Sequence, residues 1–252
     1  MAKINYYSDE LNDEFSEAKI TPRVIDGNYK YKHGKVWDFC SYMMQNVLSM
    51  PIKMLYMKIK FKHVIIGKEK LKPYKKIGYF IYGNHTQAFG DVLIPSLAMY
   101  PKRNFFIVNP ENISMGHSGW AVELLGAIPV PGDIESTKNF LDILKYRISK
   151  KHAITIYPEA HIWPYYTKIR NFKDVSFKYP VQLNTPVFCF TNTYIERKHG
   201  VQITTFVDGP FYPDKKLTKM KDKQKDLRNQ VYLKMVDRSQ NSNIEVIKYI
   251  KK

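Results

Sequence analysis

Two short stretches of this sequence carry residue types that can move protons. The first is GYFIYGNHTQAFGDVLIP, residues 78–95. Its apolar run reads as a strand ending at Tyr82; Gly83 permits a sharp turn, and Asn84 and His85 follow. Five residues separate His85 from Asp91, which opens the next apolar, helix-like run. A carboxylate that near can accept a hydrogen bond from one imidazole nitrogen. That fixes the tautomer and leaves the other nitrogen free to take a proton. Such a pair needs no serine or cysteine of its own, because a hydroxyl of the substrate can attack once its proton is removed. Spacing alone leaves a plainer alternative open, in which Asp91 only caps the helix and His85 is incidental to the turn. The second stretch is AITIYPEAHIWP, residues 153–164. A strand ending at Tyr157 is followed by Pro158, Glu159, Ala160 and His161. A carboxylate there can line a site, cap a loop or meet a cation.

The elements that must position these residues follow from hydrophobic period. Runs at 63–67, 77–83, 104–108, 127–130, 153–157, 186–195 and 201–209 read as strands. Residues 91–100, 119–126 and 134–150 read as helices, the last preceded by Asp133. Residues 216–251 are lysine-rich and helical in pattern. This alternation predicts an α/β fold, a mixed central sheet flanked by helices on both faces. In such sheets, function gathers where strands end and the chain turns into a helix.

Three segments are expected: a polar, irregular arm over 1–34, amphipathic helices over 35–62, and the α/β domain over 63–252. In the middle segment Trp37, Phe39, Tyr42, Val47, Leu48, Ile52, Leu55 and Ile59 recur at three- and four-residue spacing. Pro51 is expected to break the run into a helical hairpin. The apolar stripe suits either a membrane interface, with Lys53, Lys58, Lys60 and Lys62 among head groups, or the protein's own core.

Composition narrows the partners. The 252 residues include 40 Lys and Arg against 23 Asp and Glu, a net charge of +17. A field of that sign draws anionic lipid, phosphorylated substrates or nucleic acid. The basic residues are scattered and no recognition helix or aromatic RNA-binding motif is present, so nucleic acid is not an expected partner. Cys40 and Cys189 lie far apart, which predicts free thiols in a reducing compartment. The seven histidines show no HExxH or His-x-His spacing, so no metal is expected. The opening residues have no apolar run after a basic start, so no export signal is expected.

Taken in order, the motifs resemble the glycerolipid acyltransferase family, whose best-known members are the 1-acylglycerol-3-phosphate acyltransferases. That family carries an Asn-His and an Asp separated from the His by four residues, a glycine-led segment, a Phe-Pro-Glu-Gly-Thr-Arg block and an apolar strand with a proline. Here Asn84, His85 and Asp91 match the first, and Gly126 to Asp133 the second. Pro158 and Glu159 match the third, and Thr185, Pro186 and Val187 the fourth. Phe172 and Lys173 resemble a basic segment that lies between the last two. The sequence departs from the pattern in its five-residue spacing, expected to be absorbed by an unusual backbone conformation at Gly90. It also lacks the arginines of the second and third blocks.

The resemblance implies that an acyl group moves from a thioester, acyl-CoA or acyl-carrier protein, to a hydroxyl of a lysophospholipid such as 1-acylglycerol-3-phosphate. His85 would be the base and Asp91 its orienter, with no bound cofactor. Asn84, Glu159, His161, Lys168, Arg170 and Lys173 would serve the acceptor. Of these, Lys168, Arg170 and Lys173 would grip its phosphate, and Glu159 would bind a hydroxyl or a cationic neighbour. The expected place of work is the cytoplasmic face of a membrane, on anionic lipid, as a peripheral or monotopic protein.

Overall fold

The computed structural model describes residues 3–15, 20–114 and 119–252. A seven-stranded mixed sheet forms its centre, in the order β2-β8-β7-β3-β6-β4-β5. The strands are β2 (Val64–Ile66), β3 (Tyr79–Gly83), β4 (Asn104–Val108), β5 (Ala127–Pro129), β6 (Ala153–Ile156), β7 (Val187–Glu196) and β8 (Val201–Phe211). Among the described residues, only the β7–β8 pair of this sheet is antiparallel. The helices are α1 (Lys35–Tyr42), α2 (Ser49–Phe61), α3 (Gly90–Met99), α4 (Gly119–Leu124), α5 (Ile134–Ser149), α6 (Lys178–Gln182) and α7 (Met220–Ser239). The predicted α/β architecture with a mixed central sheet is what the chain forms.

β3 is buried at every residue, as a central parallel strand covered on both faces must be. Its side chains alternate between two apolar layers. Phe80 and Tyr82 pack with Phe140 and Leu144 of α5 and with Leu227, Val231 and Met235 of α7. Tyr79 and Ile81 pack with Met57 of α2, Ile94 and Leu97 of α3, and Phe188 and Phe190 of β7. The α5 start is set locally: Asp133 accepts from the Ser136 N–H at 2.7 Å while Ser136 Oγ accepts from the Asp133 N–H at 3.1 Å.

Three sequence expectations are corrected. The first concerns residues 35–61, which do not fold back as a hairpin. α1 runs through a π-helical stretch, Met43–Leu48, directly into α2. Pro51 lies just past the π-helical stretch inside this continuous helical run, where its missing N–H leaves one helical bond unmade without folding the chain back. The second concerns the arm: Lys3–Tyr7 form a strand, β1, paired in parallel with β9 (Ile247–Lys251). The third is its counterpart, since the C-terminal helix ends at Ser239 and the chain closes as that strand.

The polarity of the α1–α2 run points the unexpected way. Ser41 Oγ and Gln45 Nε2 donate inward to the Leu124 carbonyl, at 2.7 and 3.2 Å, and Asn46 donates to the Pro101 carbonyl at 2.8 Å. Lys53 is buried rather than among head groups, and loss of water brings its ammonium down to about 8. The apolar stripe of Val36, Phe39, Leu48, Ile52, Leu55 and Ile59 stands in the open, so the core does not cover it. Among the described residues no helix is long and apolar enough to cross a membrane.

Candidate active site

Parallel pairing brings the two motif-bearing strand ends together. β3 and β6 are in register with Tyr82 opposite Ile156. Three residues beyond each stand His85 and Glu159, and the His85 N–H donates to Glu159 Oε2 at 3.0 Å.

His85 Nδ1 and Asp91 Oδ2 are 2.7 Å apart. The carboxylate accepts, so the proton sits on Nδ1 and Nε2 carries the lone pair. Nε2 has no protein partner among the described residues. The His85 side chain keeps 17% of its surface exposed, against 3% for Asp91. Asp91 Oδ2 also accepts from the Gln87 N–H at 2.9 Å. Burial pushes the Asp91 carboxyl above its ordinary pKa, and the bonds from His85 and Gln87 draw it back.

The longer spacing is absorbed by a helical turn, since the Asp91 N–H donates to the Gln87 carbonyl at 2.9 Å. Gly90 has no positive φ, contrary to expectation. It is glycine for want of room: a Cβ there would stand 2.9 Å from the Cβ of Gln87. Gly83 is likewise a matter of space rather than of a turn. It belongs to β3, and a Cβ would fall 2.1 Å from the Phe190 ring.

Tyr157 is a residue that sequence reading treated only as a strand end. Its ring stacks on His85, and its hydroxyl donates to the Asp91 backbone carbonyl. Burial, then the Asp91 charge, keeps that phenol protonated and hence a donor. Phe190 stands at right angles to Tyr157, with centroids 5.9 Å apart. Nothing in residue type or spacing marks these rings, because Tyr157 meets His85, and Phe190 meets Tyr157, only through the sheet.

The residues assigned to the acceptor scatter. Asn84 is buried and both ends of its amide bind β7: Nδ2 donates to the Asn192 carbonyl at 3.0 Å, and Oδ1 accepts from the Asn192 N–H at 2.8 Å. It aims the turn and offers nothing to a ligand. Glu159 does meet a cationic neighbour: it accepts from the Arg170 N–H at 3.0 Å and from Arg170 Nη2 at 3.3 Å. Arg170 is 1% exposed, donates to the His161 carbonyl and lies over the Trp163 ring at 4.9 Å. A guanidinium enclosed in this way ties two loops together and is out of reach of a phosphate, so that part of the expected grip is corrected. His161 Nδ1 faces Glu14 Oε2 at 2.7 Å. Lys168 and Lys173 are exposed and form no ion pair among the described residues.

Ala160 adopts a left-handed backbone, φ +64°, where the resembled motif carries glycine. Tyr165 is left-handed too, φ +58°. Two such residues in one loop mark backbone held against its preference by surrounding bonds. The loop therefore has a single imposed shape, which suits a part that positions others.

An imidazole held by a carboxylate, with its second ring nitrogen open, can deprotonate a hydroxyl for attack on an ester or thioester carbonyl. The family model described as acyltransferase matches residues 62–192, just over half of the chain. No curated protein matches it.

Proposed function

The chain belongs to the acyltransferase family, and we propose that it moves a fatty acyl group from acyl-CoA or acyl-carrier protein to a lysophospholipid hydroxyl, that of 1-acylglycerol-3-phosphate first. The observation that carries this reading is the 2.7 Å His85–Asp91 bond with Nε2 left open. In this mechanism Nε2 takes the proton of the acceptor hydroxyl as its oxygen attacks the thioester carbonyl carbon. The tetrahedral oxyanion then collapses, the carbon–sulfur bond breaks, and the imidazolium returns the proton to the leaving thiolate. The backbone N–H groups of Ala88 and Phe89, free of partners among the described residues, are the donors nearest in sequence for the oxyanion.

The exposed stripe of α1 and α2 supports a seat on the membrane, with Lys58, Lys60 and Lys62 toward anionic head groups. In this reading the protein works at the cytoplasmic face, where such donors are made. Lys168 and Lys173 remain the candidate phosphate contacts. The enclosure of Arg170 favours a second acceptor within the same chemistry, another lysophospholipid whose phosphate is a diester, over the phosphate monoesters 1-acylglycerol-3-phosphate and glycerol 3-phosphate, because Arg170 is not free to fork a monoester.

The test is thiol release from acyl-CoA and from acyl-carrier protein across a panel of lysophospholipids and glycerol 3-phosphate. Acceptor-dependent release by the native protein, lost in His85→Ala and lowered in Asp91→Asn with both variants folded, supports the reading. Silence with every acceptor and both donors, or full turnover in His85→Ala, overturns it.

A further inference from the structure

One loop grips the main chain of His85 on both sides. The His85 N–H donates to Glu159, and the His85 carbonyl accepts from the Trp163 N–H at 3.0 Å. The next carbonyl, that of Thr86, accepts from the Tyr165 N–H at 2.9 Å. The place of the base is therefore set by residues 159–165. That loop rests in turn on the two ends of the chain, both outside the family-matched 62–192.

The ends meet as a parallel ladder from Lys3 opposite Ile247 to Tyr7 opposite Lys251. Two strands of this length do not hold themselves together in water. What they dock on is Trp163, which is wholly buried. Its indole N–H donates to the Asp13 carbonyl at 2.7 Å. Its ring stacks on Tyr249 at 5.0 Å and meets Tyr7 at 4.8 Å and Phe15 at 5.2 Å. Two polar ties flank it: Glu14 to His161 at 2.7 Å, and the Tyr249 hydroxyl to the Pro164 carbonyl at 2.9 Å. The same tryptophan thus holds the base through its backbone and the chain ends through its side chain.

We propose that residues 3–15 and 247–251 form a clasp that holds His85 in working position through Trp163, a positioning residue. The inference rests on the acyl transfer proposed above. The clasp carries no group that reaches the reacting atoms; it removes slack from the loop that sets the base, and small displacements of a base lower turnover steeply.

The test is the double variant Glu14→Ala with Tyr249→Phe, which removes both polar ties and keeps every ring. Two readings are taken: backbone amide exchange over residues 84–88, and kcat with acceptor KM. The clasp predicts exchange over 84–88 faster by about tenfold and kcat lower by about tenfold, with KM within about twofold. Restoring Tyr249 alone recovers part of both. Faster exchange at 3–7 and 247–251 with 84–88 and kcat unchanged overturns the proposal and leaves the clasp as packing of loose ends. If exchange at the ends stays slow, Tyr249→Ala removes the stacked ring and the same two readings decide. Amide exchange needs no turnover, so loosening over 84–88 in a protein without acyltransferase activity supports the clasp and counts against the proposed reaction alone.

Discussion

The ring of Tyr157 lies flat against the imidazole of His85, with centroids 4.3 Å apart and planes 14° apart, and its hydroxyl is bonded to the backbone of Asp91. One side chain thus braces both members of the dyad. The stack limits rotation of the imidazole, and the hydroxyl fixes the helix start from which the carboxylate reaches back. Tyr157→Phe keeps the stack and loses the hydroxyl. We predict a kcat lower by about three- to tenfold with acceptor KM little changed, since one neutral hydrogen bond contributes about 1 kcal/mol. Unchanged steady-state kinetics would show that the hydroxyl has no part in aligning Asp91.

Glu159 and Arg170 form a buried pair, with side chains 0% and 1% exposed. Glu159→Gln leaves the guanidinium enclosed without a countercharge and weakens the acceptor of the His85 N–H. Breaking such a pair from one side destabilises by about 3–5 kcal/mol. We predict a matching loss in urea unfolding together with a lower kcat. Stability equal to that of the native protein would mean that solvent reaches Arg170.

Two histidines outside the site make the fold acid-sensitive. Burial lowers the pKa of His63 to about 4. Burial, then Arg103 and Arg147, lowers that of His152 to about 3. Both lie below the unfolded value of about 6.5, so the unfolded chain takes up protons that the folded one refuses. Stability is full above about pH 6.5 and falls as pH drops toward 4, by about 1.4 kcal/mol per pH unit for each histidine. Urea unfolding at pH 7, 6 and 5 reads this slope, and His63→Gln should remove about half of it. A slope unaltered in that variant would assign the effect to other groups.

The open stripe on α1 and α2 offers a separation of binding from folding. Ile52 is 70% and Leu55 60% exposed. Changing both to Asp removes apolar surface that the fold does not use, so the melting temperature should stay within a few degrees. Sedimentation with anionic vesicles should fall by about tenfold or more. Vesicle binding that survives the change would place the membrane contact elsewhere.

Much of this protein can be read from residue order. The full burial of β3 follows from its unbroken apolar run, and the α5 boundary from Asp133. The His85–Asp91 pair stands out because an imidazole and a carboxylate at a strand-to-helix junction suit proton transfer. These are local properties, carried by period and by neighbours a few residues apart. What the order does not carry is which face of an element meets what. The same stripe from Trp37 to Ile59 serves a core or an interface equally well. Only the packed body shows Gln45, Asn46 and Lys53 turned inward and Ile52 turned out.

The sequence by itself determined the class of fold, the placing of His85 and Asp91 within reach of each other at one strand end, and the carboxylate at the neighbouring strand end. Only the tertiary structure decided that Arg170 is sealed against Glu159, that Tyr157 braces the dyad, and that residues at opposite ends of the chain sit behind Trp163. The physical reason is one of distance along the chain. That His85 and Asp91 can reach each other across a single helical turn is legible in spacing. Glu14 and His161, or Tyr7 and Lys251, become neighbours only once parallel register and a shared aromatic cluster bring them together.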